Sequence, residues 1–319
     1  MNSPVAPSQL LDVSAKRSDG LRDPGIGEVL RRWAELRPET LAFLHKRRGR
    51  WHAFSRSYVA REVERLAALL KERSNSGEIR LAASGDYEPD LVILGLAALS
   101  VGGEVFLLHD ILRGEALARE LAAIRPTLAF VQGRRAIAQW LAAAPSGTAR
   151  LPLFSTRAFA GGNSAWDVVP LHDAVTLVAA SRPRRLWPWP AWSRLADIAW
   201  IDEGTEWREG MRRLIDSALH DGLAIAFPET AESAVRDRRQ LQPASLILSP
   251  ARQRRLEEED RARRAPEGSF SRRLVDHAET SSGGIARFVN HRRNVVLGLG
   301  RIRPLASAEP ISAPAPVSA

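Results

Sequence analysis

The run GEIRLAASGDYEPDLVILGLAALSVGGEVFLLHD, residues 77–110, decides the fold. Ile79 to Ala83 is a short apolar run bounded by Gly77 and by Ser84-Gly85-Asp86, which reads as a strand and its turn. Residues 88–101 are apolar on every side and long enough for a buried helix, and residues 104–108 form a second apolar run. Leu91 to Leu108 is about long enough to cross a bilayer. Gly102-Gly103 interrupts it and Glu104 follows, so helix, tight turn and buried strand is the reading taken.

The rhythm continues outward. A helix is predicted at 113–124, a strand at 128–131, a helix at 134–143, and strands at Leu151 to Ser155 and Ala174 to Ala179. Upstream, Gly27 to Arg37 reads as a helix ended by Pro38. Leu41 to His45 and Trp51 to Phe54 form a hairpin, and Ser55 or Ser57 caps a helix carrying Val59, Val63, Leu66, Leu69 and Leu70. Downstream, helices are expected at about 206–220, 230–240 and 250–264, with strands at 223–227 and 245–248. The last helix is charged almost throughout, and its run Glu257 to Asp260 reads as a solvated face. Short apolar runs alternating with helices predict an α/β fold of mostly parallel sheets flanked by helices. Ligands of such sheets sit at the carboxyl ends of strands, which singles out Ser84-Gly85-Asp86, His109-Asp110 and the segment after Ala179.

Five segments are expected. Residues 1–22 are a polar, disordered start; 23–180 a first α/β subdomain; 181–199 a loop rich in Pro, Trp and Arg; 200–306 part of a second α/β subdomain; 307–319 an Ala/Pro/Ser tail. With 45% apolar residues, the 319-residue chain can bury a core. It has no cysteine, which excludes disulfides, thiolate metal sites and a cysteine nucleophile. No signal-peptide pattern is read at the start, and a cytoplasmic location is expected. The net charge of +9 rests on arginine, since Lys16, Lys46 and Lys71 are the only lysines. The arginines are dispersed and often neighbour acids, which favours a compositional origin over a nucleic-acid or anionic-membrane surface. Trp187, Trp189 and Trp192 stand among arginines, and indoles packed back over the sheet are favoured over a membrane or partner surface.

The order of segments resembles the AMP-forming acyl-CoA synthetases, especially the long-chain fatty acid type. The matching pieces begin with Ala34 to Thr40 and the Lys46–Trp51 hairpin, then Asp86 to Asp90 with the apolar helix into Gly102-Gly103, and Glu115 to Val131. They continue with Trp200 to Glu203, Ala226 to Thr230 and Leu241 to Pro243, and end with Leu297 to Arg303 leading to Ser307–Ile311. The resemblance covers most of residues 26–315. It implies the first half or so of the family's large N-terminal domain, a partial and degenerate relative whose small barrel and C-terminal catalytic domain would lie beyond residue 319. The family uses ATP, magnesium and CoA.

The resemblance also shows what this sequence replaces. The family grips ATP with a loop of the form Ser-Gly-Thr-Thr-Gly-x-Pro-Lys-Gly, whose glycines let backbone N–H groups approach phosphate. Here residues 173–178 are followed by Ala179-Ala180-Ser181-Arg182-Pro183-Arg184-Arg185; no glycine occurs between Gly162 and Gly204, and no lysine after Lys71. Ser181, Arg182, Arg184 and Arg185 remain the candidate phosphate-side residues, and Ser307 and Ala308 the candidate adenine-side residues, with Glu309 placing an acid beside a nucleotide. The family's Tyr-Gly-x-Thr-Glu motif has no counterpart at Tyr58 or Tyr87, the two tyrosines. No catalytic residue and no metal ligand is assigned, since none of the seven histidines pairs at ligand spacing. His109 is the best-placed general base, without a nucleophile motif.

A protein with an acyl-CoA synthetase scaffold but no adenylation chemistry and no cofactor of its own is therefore expected. It would hold an acyl ligand or a partner, either an intact synthetase or a second copy. The alternatives are an arginine-rich binder of nucleic acid or anionic membrane, and the product of a decaying gene.

Overall fold

The structure, a computed structural model, describes residues 20–23, 25–74, 77–143, 150–157, 159, 165–171, 197–262 and scattered positions between 268 and 300. The predicted strand 174–179, the loop 181–199 with its three tryptophans, and the tail 307–319 lie outside these residues, apart from Asp197 to Ala199.

Helix α1 (Ile26–Leu36) buries Ile26, Leu30, Trp33 and Ala34 along one face. Strands β1 (Leu41–Arg47) and β2 (Arg50–Ser55) form a two-residue hairpin. Its central residues Arg48 and Gly49 both take positive φ, 50° and 70°, as a type I′ turn requires. Of the two candidate caps, Ser55 caps α2 (Arg56–Arg73), its hydroxyl accepting from the Tyr58 N–H at 3.3 Å.

Then come β3 (Arg80–Ser84), α3 (Pro89–Ser100), β4 (Glu104–Leu107), α4 (Gly114–Ile124), β5 (Leu128–Val131), α5 (Gly133–Ala142), β6 (Leu151–Ser155) and β7 (Trp166–Pro170). The second part contributes β8 (Ile198–Trp200), α6 (Gly210–Ile215) with a π-helical turn at Asp216–His220, β9 (Ala224–Phe227), α7 (Ala234–Leu241), β10 (Ser245–Leu246) and α8 (Pro250–Ala262).

Two five-stranded sheets result, ordered β4-β3-β5-β6-β7 and β10-β8-β9-β1-β2, and every pairing is parallel except the β1–β2 hairpin. Sheet membership ignores chain order: the hairpin at 41–55 joins strands from residues 198–246. Alternation along each strand feeds two cores. Leu81, Ala83, Val105, Leu107, Leu128 and Phe130 point into a central core between the sheets, which α1, α2, α3 and α6 fill. Ala82, Phe106, Ala129 and Val131 point outward under α4 and α5. On the second sheet Phe43, Ile225 and Phe227 face the centre, while Leu44, Ala224 and Ala226 face α7. Strands buried on both faces read as unbroken apolar runs.

The apolar stretch 91–108 resolves into α3, the turn and β4. Ten of the twelve α3 residues are buried, and at 1.5 Å per residue the helix is about 18 Å long. No helix among the described residues is long and apolar enough to cross a membrane.

Several elements differ from expectation. The helix expected at 206 starts at Gly210. The helix expected at 230 starts at Ala234, because Thr230 and Ser233 exchange side-chain and backbone hydrogen bonds that hold a turn instead. Strands β7 and β8 carried no recognised signal. Of the opening segment 1–22, residues 20–22 lie along β4, where Leu21 bridges Val105.

Candidate functional site

The first sheet reverses direction at β3: β4 lies on one side and β5 on the other. The crevice at the carboxyl ends of β3 and β5 is the topological switch point, where open α/β sheets place their ligands. Here the chain fills it. The Gln132 side-chain amide accepts from the Asp86 N–H at 2.8 Å and donates to the Asp86 carbonyl at 2.8 Å. Gly85, at φ +146°, makes room for it, since a Cβ there would stand 2.5 Å from Gln132 Oε1.

The same loop is sewn to the second sheet. The Tyr87 N–H donates to the Glu203 carbonyl (2.9 Å), the Thr205 N–H to the Gly85 carbonyl (2.9 Å), and the Gly85 N–H to Thr205 Oγ1 (3.1 Å). The Tyr87 hydroxyl donates to the Trp207 carbonyl at 2.7 Å and accepts from the Met211 N–H at 3.1 Å. Gly204 is required at the join, because a Cβ would meet the Gly85 carbonyl at 2.6 Å.

Where the carboxyl ends of β3, β8 and β9 converge, a cleft of ≈ 290 Å³, part of it open solvent, lies between residues 86–88, 202–203 and 228–231. Five of the residues that line it are acidic: Asp86, Glu88, Asp202, Glu203 and Glu229. Burial raises the Asp86 carboxyl above its ordinary range, and Glu206, Asp110 and Glu232 add to this. Burial pushes Glu88 up to about 7 against the pull of Arg47, with Asp90 and Asp86 adding to the rise. Burial also raises Glu203, although the Ser249 N–H donates to its carboxylate. Asp202 is held by Arg252 and Arg238. Glu229 accepts from the Gly49 N–H at 3.0 Å. At the rim the Arg47 guanidinium stands 2.9 Å from Asp90 and 3.8 Å from Glu88. His45, on β1, is buried against Phe227, and burial with Arg47 lowers it to about 3, so the imidazole is neutral at ordinary pH.

Glu88 gives a pH test of this picture. Its folded value of about 7 exceeds the ordinary one, so the fold binds a proton that the unfolded chain releases. That stabilisation is complete below the ordinary carboxylate range and is lost as pH rises through about 7. Glu88→Gln is expected to be more stable than the wild type above pH 7, by on the order of 2 kcal/mol, with no difference near pH 4. Thermal unfolding across this range measures it, and parallel curves for the two proteins would refute the proton uptake.

Of the residues singled out from sequence, Asp86 lies in the cleft. His109 and Asp110 follow β4 and pair with each other, Nδ1 to Oδ1 2.9 Å. Ser181, Arg182, Arg184, Arg185, Ser307 and Ala308 lie outside the described residues. The run Glu257 to Asp260 is not wholly a solvated face: Glu259 turns inward to Arg238 (3.4 Å) and Arg252 (3.6 Å). No cluster of three or more His, Asp or Glu among the described residues could hold a metal ion. Asp202, Glu203 and Glu229 escaped the sequence reading as site residues. Asp202 and Glu203 follow the three-residue β8, which carried no recognised signal, whereas Glu229 follows the recognised strand at 223–227 by two residues.

No protein-family model matches the sequence, and no curated protein matches it. Solved structures do. The chain is similar to the acyl-CoA synthetase of Brucella canis (TM-score 0.53, 15% identity, 76% of this chain and 50% of that one). It is similar to a mutant form of coronafacic acid ligase from Pectobacterium brasiliense (0.54, 10%, 77% and 53%) and to acetoacetyl-CoA synthetase from Streptomyces lividans (0.51, 15%, 71% and 42%). It thus spans about half the length of the structures it matches. With two α/β sheets and helices between them, the chain has the fold of part of an AMP-forming acyl-CoA synthetase or adenylation enzyme.

Proposed function

We propose that this chain is a non-catalytic relative of the acyl-CoA synthetases, retaining their scaffold to hold an acyl ligand or a partner protein without forming an adenylate. The observation that carries this reading is the charge of the cleft. Five of the residues lining it are acidic and none of the described ones is basic, and burial disfavours the ionised form of Asp86, Glu88 and Glu203. A polyphosphate brought there finds no lysine, arginine or glycine among the described lining residues to receive it, and its charge would further disfavour ionisation of these carboxyls. The sequence supports the same reading, since Ala179 to Arg185 carries neither the glycines nor the lysine of a phosphate-gripping loop. On this reading the chain requires no ATP, magnesium or CoA. Its partner is an intact synthetase or a second copy.

ATP–pyrophosphate exchange with a panel of fatty acids tests the proposal, together with calorimetry of a non-hydrolysable acyl-adenylate analogue. No exchange above background is expected from a folded sample; heat with the analogue would assign the acyl-holding role, and its absence would assign the partner-holding one. Exchange with any fatty acid would overturn the non-catalytic reading.

A further inference from the structure

Strand β4 is an edge of the first sheet, and its outer side carries backbone donors and acceptors that a neighbouring strand could use. Three residues of the chain occupy it. The Leu21 N–H donates to the Val105 carbonyl at 2.8 Å, and the Val105 N–H donates to the Leu21 carbonyl at 3.1 Å, an antiparallel bridge. Gly20 sits beside the Phe106 ring, where an added Cβ would come within 2.8 Å of a ring carbon. Arg22, itself exposed, pairs with Glu104, whose other oxygen holds Arg80 at 2.9 Å. Glycine, apolar residue and arginine thus each meet a matched counterpart on β4. Among the described residues the attachment is one backbone bridge, the Gly20–Phe106 contact, the Leu21 side chain packed against the central core and one exposed ion pair, and only Asp23, Pro24 and Gly25 separate it from α1.

We propose that the outer edge of β4 is a docking strand for an extended Gly–apolar–Arg segment, filled in cis by Gly20–Arg22 and open in trans to the same segment of a second copy. Recognition is strand addition: backbone bonds at Val105 supply adhesion, and the Phe106 ring and the Glu104 carboxylate select the flanking residues. A terminal strap of this kind exchanges between identical chains at little cost, because the swapped form remakes every contact it breaks.

The test uses the full chain and a labelled synthetic peptide spanning Lys16 to Pro24, read by fluorescence anisotropy. Leu21→Pro removes the N–H that bonds Val105 and frees the edge. The peptide is expected to bind this variant at least about ten-fold more tightly than the wild type, whose own strap competes intramolecularly. A peptide carrying Arg22→Glu is expected to bind neither protein. Sedimentation is expected to show concentration-dependent dimers of the wild type that are lost in Leu21→Pro. Arg22→Glu in the chain, at an exposed position, gives the same comparison should the proline variant fail to fold. A peptide that binds the freed chain no better than the wild type, or binds equally with Arg22→Glu, would overturn the docking strand. A wild type that stays monomeric, or dimers that persist in the variants, would overturn the exchange.

Discussion

Replacing Asp202 with alanine is expected to cost about 3–5 kcal/mol of stability, read as a large fall in the urea midpoint. Asp202 follows β8 with its side chain wholly buried. Its carboxylate accepts from Arg252 through both oxygens, Nε to Oδ1 at 3.1 Å and Nη2 to Oδ2 at 2.5 Å, and faces Arg238 Nη1 at 3.8 Å. Arg238 is also wholly buried, its Nε donating to the Leu297 carbonyl at 3.1 Å and its Nη2 reaching Glu259 at 3.4 Å. Two guanidinium groups therefore balance two carboxylates at the meeting of β8, α7 and α8. Burial lowers the Arg238 pKa, and Asp202 is the first of the charges that pull it back. A guanidinium cannot shed its proton to escape burial. Without Asp202, Arg238 and Arg252 share Glu259 alone, and an uncompensated cation stays inside. A double variant, Asp202→Ala with Arg238→Met, is expected to recover much of the loss, since apolar groups replace buried ion pairs at little cost. A single variant within about 1 kcal/mol of the wild type would show that the network is solvated and balances nothing.

That network shows where sequence reading stopped. Arg236-Asp237-Arg238-Arg239 has the look of a solvated surface, yet Asp237 and Arg238 are fully buried. Charge runs on helices are read as exposed because ions seldom go inside, and only tertiary pairing makes the exception. Sheet partners were hidden for the same reason. The signals for β1 and β9 were each legible, but nothing local in Phe43 or Ile225 says that the two pair across about 180 residues. Strand β8 has three residues, too few for a periodicity, and β7 ends on Pro170, which counts against a strand. What could be read was local: the hairpin of Leu41–His45 and Trp51–Phe54, a serine cap at Ser55 or Ser57, and the passage from α3 through Gly102-Gly103 to β4. The rule that ligands gather after strands found Asp86, because β3 was recognised. It missed Asp202 because β8 was not, and it missed Glu229 although the strand at 223–227 was. Nor does a net charge of +9 foretell an acidic cleft, since a total carries no position.

Asp237→Ala is the second substitution expected to cost about 3–5 kcal/mol, with a loss that depends on pH. The Asp237 carboxylate, wholly buried on α7, accepts from Lys46 Nζ at 2.7 Å, from Ser233 Oγ at 2.5 Å and from the Glu229 N–H at 3.1 Å. Lys46, almost fully buried beside Trp51, has Gln240 Oε1 at 2.7 Å as its other acceptor. The carboxylate so fixes the turn 229–233 that walls the cleft, and it neutralises a lysine the fold has taken from water. Burial alone would raise the Asp237 carboxyl; the bonds from Lys46, Ser233 and Glu229 and the charge of Lys46 outweigh it, so the folded value lies below the ordinary one. The sign follows. A depressed carboxyl stabilises the fold fully above its unfolded value of about 3.9, and that stabilisation is lost as pH falls through the folded value. The wild type is therefore expected to lose stability below about pH 4 by a step that Asp237→Ala lacks, so the two unfolding curves converge in acid. Curves that stay parallel would mean the carboxylate is not the proton acceptor. Lys46→Met with Asp237→Leu separates charge from packing. Stability regained at neutral pH would assign the single-variant loss to the stranded ammonium, whereas no recovery would assign it to the turn 229–233 losing its anchor.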